Sequence, residues 1–426
     1  EPLVYGNTSI LYTYIIALNK FIFGNLLSNS WILISAALVF AIGFLVKMQH
    51  GLIGLMKSKS LSNKLVVTCL TIPFLVFPLI FGFHISTGME TTLSLFLNAS
   101  FVFAALQFSR REKSSFKSVL PVVITGYLLF LTRPDNAIVV AFFPFFLLLF
   151  QKKWKHIVWF VSVMIVIIGI DSLVKYFAFG EILPLSFYAK KSGFTEGYTA
   201  KYFWNPIKYI TQMVAYLMPF ILLLFYLFKR EKLGLIIAFL LPLILTFSYY
   251  FTFDQIMGFN ARLYFPFIPY IIVPAFLLLD DATVKLEAKD LSDWNLNGIL
   301  TKTVLLILFL FVMVFSKYRW INKYETYAIN AGNKHAIAIE GLEKRKYNRE
   351  QSIKIISDWL KEFPDDFVFG ATEHGFIAGD NPKKKIVDFS GLHNTYIAKN
   401  GYDESVLKNN QPDFVWMPHQ DLTVLH

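Results

Sequence analysis

HISTGMETTLSLFLNASFVFAALQFSRREK, residues 84–113, is the stretch on which the fold turns. A mixed polar cluster, His84 to Glu90, opens it. An apolar run over 88–107 fills its middle, and Arg110, Arg111 and Lys113 close it. About twenty apolar residues make a helix long enough to cross a bilayer core. The flanks differ in kind: one end carries particular polar side chains, the other plain positive charge. Basic loops mark the cytoplasmic side of a membrane, so the stretch reads as one oriented membrane span.

The same alternation runs outward in both directions. Apolar runs recur at 31–47, 65–84, 118–133, 136–151, 155–178, 207–228, 233–252, 263–279 and 300–316. The expected architecture is therefore an α-helical polytopic membrane protein of about ten transmembrane helices. Segment 9–27 carries Asn19 and Lys20 in its middle, which suits an interfacial or re-entrant helix as well as a span. Basic loops hold Lys57, Lys59 and Lys64, then Arg110 to Lys117, then Lys152, Lys153 and Lys155, then Lys229, Arg230 and Lys232. Strict alternation adds 280–299 to that side, although it holds more acidic than basic residues. The opposite side collects His84 to Glu90, Arg133-Pro-Asp135, Ser186-Phe-Tyr-Ala-Lys-Lys191 and Asp254 to Arg262. One outer loop, 179–206, breaks the charge rule with Lys190, Lys191 and Lys201. Long loops escape that rule; an anion bound at the membrane surface would explain the lysines functionally.

Composition agrees. In 426 residues, 55% are hydrophobic and only 16% charged, against about a quarter charged in soluble chains. The net charge of +11 sits largely in short loops between apolar runs, where it reports topology and contact with anionic lipid. No exposed basic face with interleaved aromatics appears, which excludes nucleic acid as a partner. The single cysteine, Cys69, cannot form an intrachain disulfide, and no Cys/His spacing suits a metal.

From about Lys317 the texture changes to short apolar runs among Gly, Asp, Lys and Asn. Gln351 to Phe363 reads as an amphipathic helix. Asp366-Phe-Val-Phe-Gly, Lys385-Ile-Val-Asp-Phe and Asp413-Phe-Val-Trp-Met read as buried strands. The expected division is a membrane domain over 1–316 and a small extracytoplasmic α/β domain over 317–426.

Charges at membrane depth cost roughly 2.5–3.5 kcal/mol each on insertion scales, so each candidate needs a reason. Glu90 suits a helix N-terminus by the dipole alone; as a functional group it would position an acceptor hydroxyl. Arg133-Pro134-Asp135 is explained as a hairpin with a snorkelling arginine, or as a guanidinium fork for phosphate. Arg262 has the same two explanations. Tyr188, Lys190 and Lys191 are a solvated loop or a lipid-phosphate clasp. Asp171 and Lys175, four apart, pair along one helix face as a structural couple. Glu373-His374 is a solvated loop pair.

Five motifs, Glu1-Pro-Leu-Val-Tyr-Gly, Ser86-Thr-Gly-Met-Glu90, Leu131-Thr-Arg-Pro-Asp135, Leu183-Pro-Leu-Ser-Phe-Tyr-Ala-Lys190 and Asn260-Ala-Arg-Leu-Tyr-Phe-Pro266, resemble in order and spacing the polytopic glycosyltransferases of the C superfamily. The nearest in kind are bacterial arabinofuranosyl- and mannosyltransferase-like enzymes of the cell envelope. Phe369 to Gly375 and Val387 to Asn394 are similar to the periplasmic domain often appended there. Ile10 departs from the pattern, which tends to have Pro.

The resemblance implies an integral protein of the bacterial cytoplasmic membrane with its C-terminal domain outside. It would move a sugar from a polyprenyl-phosphate donor to a glycan or lipid acceptor on the outer face, inverting the anomeric centre. It assigns Glu90 to acceptor positioning, and His84, Arg133, Asp135, Tyr188, Lys190 and Arg262 to substrate binding. The family's main base lies in a loop upstream of Glu1-Pro-Leu-Val-Tyr-Gly, so the expectation is that this chain lacks that base and the first helix. No acidic metal-binding motif stands out, and the family is compatible with a divalent cation. The rival activities are a lipid-carbohydrate polymerase or ligase and, less well matched, a transporter or flippase. Transporters tend to show paired halves and midplane charges, which this chain lacks.

Overall fold

A computed structural model describes residues 9–24, 29–57, 79–185, 188, 199–252, 261–287, 343–372, 375–391, 393–401 and 404–416. They divide into two compact units: Ser9–Ile170 with Ala200–Trp320, and Glu1–Thr8 with Asp171–Thr199 and Ile321–His426.

The larger unit is built on ten helices among the described residues: α1 (Ile10–Phe23), α2 (Asn29–Leu55), α3 (Leu79–Ser86), α4 (Thr91–Arg110), α5 (Phe116–Thr132), α6 (Ala137–Phe150), α7 (Trp154–Phe179), α8 (Thr199–Tyr226), α9 (Leu233–Tyr249) and α10 (Pro269–Glu287). The last residues of α7 and the first of α8 fall in the second unit. Every sequence-predicted span with described residues coincides with one of these helices. The 300–316 run and most of 65–84 lie outside the described residues.

Among the described residues, four segments are long and apolar enough to cross a membrane, fewer than the ten spans expected: Trp31–Leu55, Thr91–Arg110, Trp154–Phe179 and Arg230–Tyr249. A fifth results if Pro206–Met218 and Phe220–Tyr226 count as one span, bent by 68°. The residue at the bend is Pro219, which lacks an amide proton for the helix ladder.

Burial follows an inside-out rule suited to lipid. The central helix α4 is the least apolar of the four spans and the most enclosed, with 83% of its apolar window buried. It packs against α2, α5, α6 and α10. The most apolar, α7, is only 22% buried and exposes Val158, Ile165, Val166, Leu173 and Phe177. Small residues let the helices approach α4 closely. A Cβ on Gly126 would meet Phe101 at 3.0 Å and Val140 at 3.1 Å.

Helix α4 also sets a ruler. Its 20 residues span about 30 Å at 1.5 Å per residue, with Glu90 before its start and Arg110 at its end. At the Arg110 end the basic loops meet. Arg110 donates through Nη1 and Nη2 to the Leu55 carbonyl at 3.1 and 3.2 Å. Lys153 Nζ donates to the Arg111 carbonyl at 2.9 Å.

Of the acidic residues in 280–299, an exception to the charge pattern, Asp280 and Asp281 have described partners. Asp281 pairs with Lys57 Nζ at 2.8 Å and with Lys232. Asp280 accepts from the Lys57 amide at 2.7 Å. These carboxylates neutralise lysines from two basic loops instead of opposing the topology.

The smaller unit contains α11 (Glu343–Leu360), β1 (Val368–Ala371), α12 (Gly375–Asp380), β2 (Lys385–Asp388), α13 (Thr395–Asn400), α14 (Glu404–Asn410) and β3 (Phe414–Trp416). All three expected strands form, and the expected helix at 351–363 is the C-terminal part of α11. The strands run parallel in the order β2-β1-β3, pairing Ala371 with both Asp388 and Trp416. Parallel neighbours need crossover connections, which α12 supplies between β1 and β2, and α13 with α14 between β2 and β3. One cluster gathers Leu360, Phe369, Ala371 and Ile377; a second gathers Val387, Phe389, Ile397 and Val406.

Candidate functional site

At the Glu90 end of α4, four of the sequence-predicted residues form one network. Helix α3 stops at a left-handed glycine, Gly88, with φ +60°, whose amide donates back to the Ile85 carbonyl at 3.1 Å. Left-handed glycine is the usual way to end a helix. Two residues on, Glu90 takes the N-cap position of α4 but makes no capping bond with its side chain. Its carboxylate instead accepts from Arg262 Nη2, at 2.7 Å to Oε1 and 2.8 Å to Oε2. The helix dipole therefore does not explain where the carboxylate goes.

The second pair comes from the break between α5 and α6. Pro134 disfavours helical geometry in the residue before it, and Arg133 is extended at φ −155°, ψ 119°. Pro134–Asn136 then forms a single 3-10 turn. Arg133 Nε donates to Asp135 Oδ1 at 3.1 Å, and Nη2 donates to Oδ2. The fork is thus occupied by a carboxylate, in the two-bond geometry that phosphate would also use. Arg133 is 6% exposed, which sets aside the alternative of an arginine snorkelling to the surface.

The two pairs are joined. Arg133 Nη1 reaches the Arg262 carbonyl at 3.4 Å. Tyr250, fully buried just after α9, donates to Asp135 Oδ2 at 2.5 Å. Ala261, before Arg262, holds a positive φ of 56°. A side chain there is strained, and the strain sits in the turn that aims Arg262. One layer deeper, Asn136 Nδ2 donates to Ser94 Oγ at 3.2 Å, and Asn98 Nδ2 to the Ser94 carbonyl at 2.9 Å. Buried polar groups thus continue from the ion pairs into the bundle.

His84 lies in the last turn of α3, fully buried, its ring centroid 4.3 Å from that of Phe265. Phe265 follows Arg262 by three residues, so His84 packs against the turn that carries the arginine. Two contributors were missed in the sequence. Tyr12 donates to the Gly88 carbonyl at 2.5 Å, and Tyr250 anchors Asp135. The only available signal was a polar-tipped aromatic at a helix end, a pattern that ordinary interfacial tyrosines share.

Tyr188 belongs to the smaller unit, where Lys399 Nζ sits 5.5 Å from its ring centroid and pairs with Glu181. Burial and then the Glu181 charge raise the Tyr188 hydroxyl above the ordinary tyrosine range. Lys190 and Lys191 lie outside the described residues, as do Asp254 to Asn260 and Glu373-His374. The Asp171–Lys175 couple forms as expected, at 2.5 Å. Among the described residues, no three His, Cys, Asp or Glu side chains gather in a way that could hold a metal ion.

No family model, curated protein or solved structure matches the chain.

Gly88 offers a direct test of this geometry. An added Cβ would stand 2.7 Å from Leu33 Cβ, at a φ that side chains avoid. Gly88→Ala is expected to lower stability by about 1–3 kcal/mol, read as a lowered melting temperature in mild detergent. A neutral result would show that the turn does not constrain Glu90.

Proposed function

We propose that the protein is a membrane glycosyltransferase acting on a polyprenyl-phosphate sugar at the outer face of a bacterial cytoplasmic membrane. The observation that carries this reading is the Glu90–Arg262 pair, 11% and 15% exposed in its side chains. It lies at the end of the bundle opposite the basic loops, which supports reading that end as the outer one by the charge rule. The resemblance of the ordered motifs supports the same class.

Roles divide between the two arginines. Arg133 is spent on Asp135 and serves as scaffold. Among the described residues, Arg262 reaches Glu90 through Nη2 alone, and its buried Nε has no hydrogen-bond partner. Arg262 is therefore the arginine with donor capacity left for an anionic leaving group. In the reaction, the carboxylate base that the resemblance implies takes the proton of the acceptor hydroxyl, and the oxygen attacks the anomeric carbon. The bond from that carbon to the phosphate oxygen breaks, and polyprenyl phosphate departs with the electron pair. The charge gathering on phosphate is what Arg262 would stabilise. Glu90 would orient the acceptor and hold Arg262 until phosphate takes up its remaining donors.

The test is transfer in lipid vesicles by the chain together with whatever upstream segment its coding sequence supplies, given radiolabelled polyprenyl-phosphate pentoses and hexoses with a cell-envelope glycan acceptor. Transfer is expected with at least one donor. Arg262→Met should reduce kcat/KM by about 10²–10³, the scale of losing one preorganised charge donor. Failure with every donor, alongside movement of the labelled lipid across the bilayer, would overturn the transferase in favour of a flippase.

A further inference from the structure

We propose that α1 lies along the membrane surface at the Glu90 end of the larger unit, and that lipid packed on its outer stripe sets the Glu90 turn through Tyr12. The helix has two apolar faces. Leu11, Tyr12, Ile15 and Ile16 pack inward on the bundle core, and α1 packs on α2 and α5. Tyr14, Leu18, Phe21 and Ile22 are exposed. Tyr14, Leu18 and Phe21, spaced four and three, lie on one outward stripe; Ile22, seven after Ile15, lies on the azimuth of the inner face, in a last turn that is exposed all round.

Its orientation follows from reach. Tyr12 is fixed to Gly88 by its hydroxyl, and Gly88 packs on Leu33, one turn inside α2. The 14 residues of α1 measure about 21 Å, short of the ~30 Å core. If α1 descended beside α2, Gly24 would sit about 18 Å below Tyr12 at 1.5 Å per residue. The five steps from Gly24 to Asn29 reach at most about 18 Å at full extension. They would have to climb that depth and a further turn beyond Leu33. A helix lying across the bundle end meets no such limit.

The occupant of the outer stripe is the boundary between lipid headgroups and acyl chains. Tyr14, Phe21 and Phe23 are exposed, as is Trp31 at the start of a span, 64% exposed, and exposed aromatics of this kind mark the interface. The inner face ends on the carbonyl of a turn two residues from Glu90. Lipid contact and the position of the Glu90 turn therefore meet in one rigid helix. This inference stands apart from the transferase reading, because its readouts need no turnover.

In a Cys69→Ser background of the full chain, single cysteines at Tyr14, Leu18 and Phe21 would carry nitroxide labels in phosphatidylglycerol/phosphatidylethanolamine vesicles. All three should report one depth, about 5–10 Å into the interface, and be shielded from a water-soluble nickel chelate. A label at Lys408, 75% exposed in its side chain, serves as the open control. Depths graded by about 1.5 Å per residue, or nickel access equal to the control, would overturn the orientation.

For the coupling, maleimide modification of Thr87→Cys should differ between vesicles and dodecyl maltoside by about three- to tenfold, the scale of one net hydrogen bond. Tyr12→Phe should erase that difference, and so should Phe21→Ser, which leaves the inner face intact. No difference with Tyr12 present, or one that survives both substitutions, would overturn the coupling.

Discussion

Arg133→Met is expected to destabilise the larger unit by about 3–5 kcal/mol, the cost of leaving one member of a buried ion pair alone. The magnitude follows from what remains. Asp135 would lose both guanidinium donors while keeping its charge and its bond from the Tyr250 hydroxyl, at 15% side-chain exposure. Tyr250 is itself fully buried, so water has little approach from that side. Asp135→Leu alone should be comparably harmful, stranding the Arg133 guanidinium, which is 7% exposed.

The double variant, Arg133→Met with Asp135→Leu, should recover most of the loss, because two apolar side chains need no partners. The double-mutant cycle, followed by melting in mild detergent, should therefore show strong positive coupling. Single variants that each cost under about 1 kcal/mol, as exposed pairs do, would show that the fork is solvated. The cycle also separates the arginines, because Arg133 is assigned to scaffold. The double variant should then retain transfer to within an order of magnitude, whereas loss of Arg262 should not be rescued by a second substitution.

Much of this fold was legible in sequence because lipid-facing helices must satisfy their backbone internally. Apolar length alone therefore located α2, α4, α7 and α9. The strands at 368, 385 and 414 were legible from short runs of Phe, Val and Ile. Sequence could place Glu90, Arg133, Asp135 and Arg262 at one end of the bundle. It could not pair them, because Glu90 and Arg262 are 172 residues apart, and Tyr250 and Asp135 are 115 apart. No periodicity links such positions; only the packing of α4, α6 and α9 does. The same limit hid the partner of Asp281, which meets Lys57 from 224 residues away. Sequence leaves Arg133 between a snorkelling hairpin arginine and a guanidinium fork for phosphate, because its occupation by Asp135 is a property of the folded turn.

Glu90→Gln is expected to lower transfer by about 10²-fold, the scale of misplacing a reacting group, since Glu90 is assigned to orienting the acceptor hydroxyl. The substitution keeps the side-chain length and one acceptor oxygen for Arg262 Nη2, so the turn at Gly88 should hold. Charge is what changes: Arg262 would lose its counterion at 15% side-chain exposure. Two mechanisms then predict different kinetics. If Glu90 serves the acceptor, kcat/KM for the acceptor falls while the KM for the polyprenyl-phosphate donor stays unchanged. If Glu90 only restrains Arg262, the freed guanidinium binds the anionic donor more tightly, and donor KM falls with little loss in kcat. Glu90→Asp distinguishes them further, since it keeps the charge but withdraws it by one methylene. It should recover activity only if charge, and not reach, is decisive. Transfer by Glu90→Gln within about threefold of the unaltered chain, far below the effect of misplacing a reacting group, would remove Glu90 from the chemistry and leave it as the strut that holds Arg262.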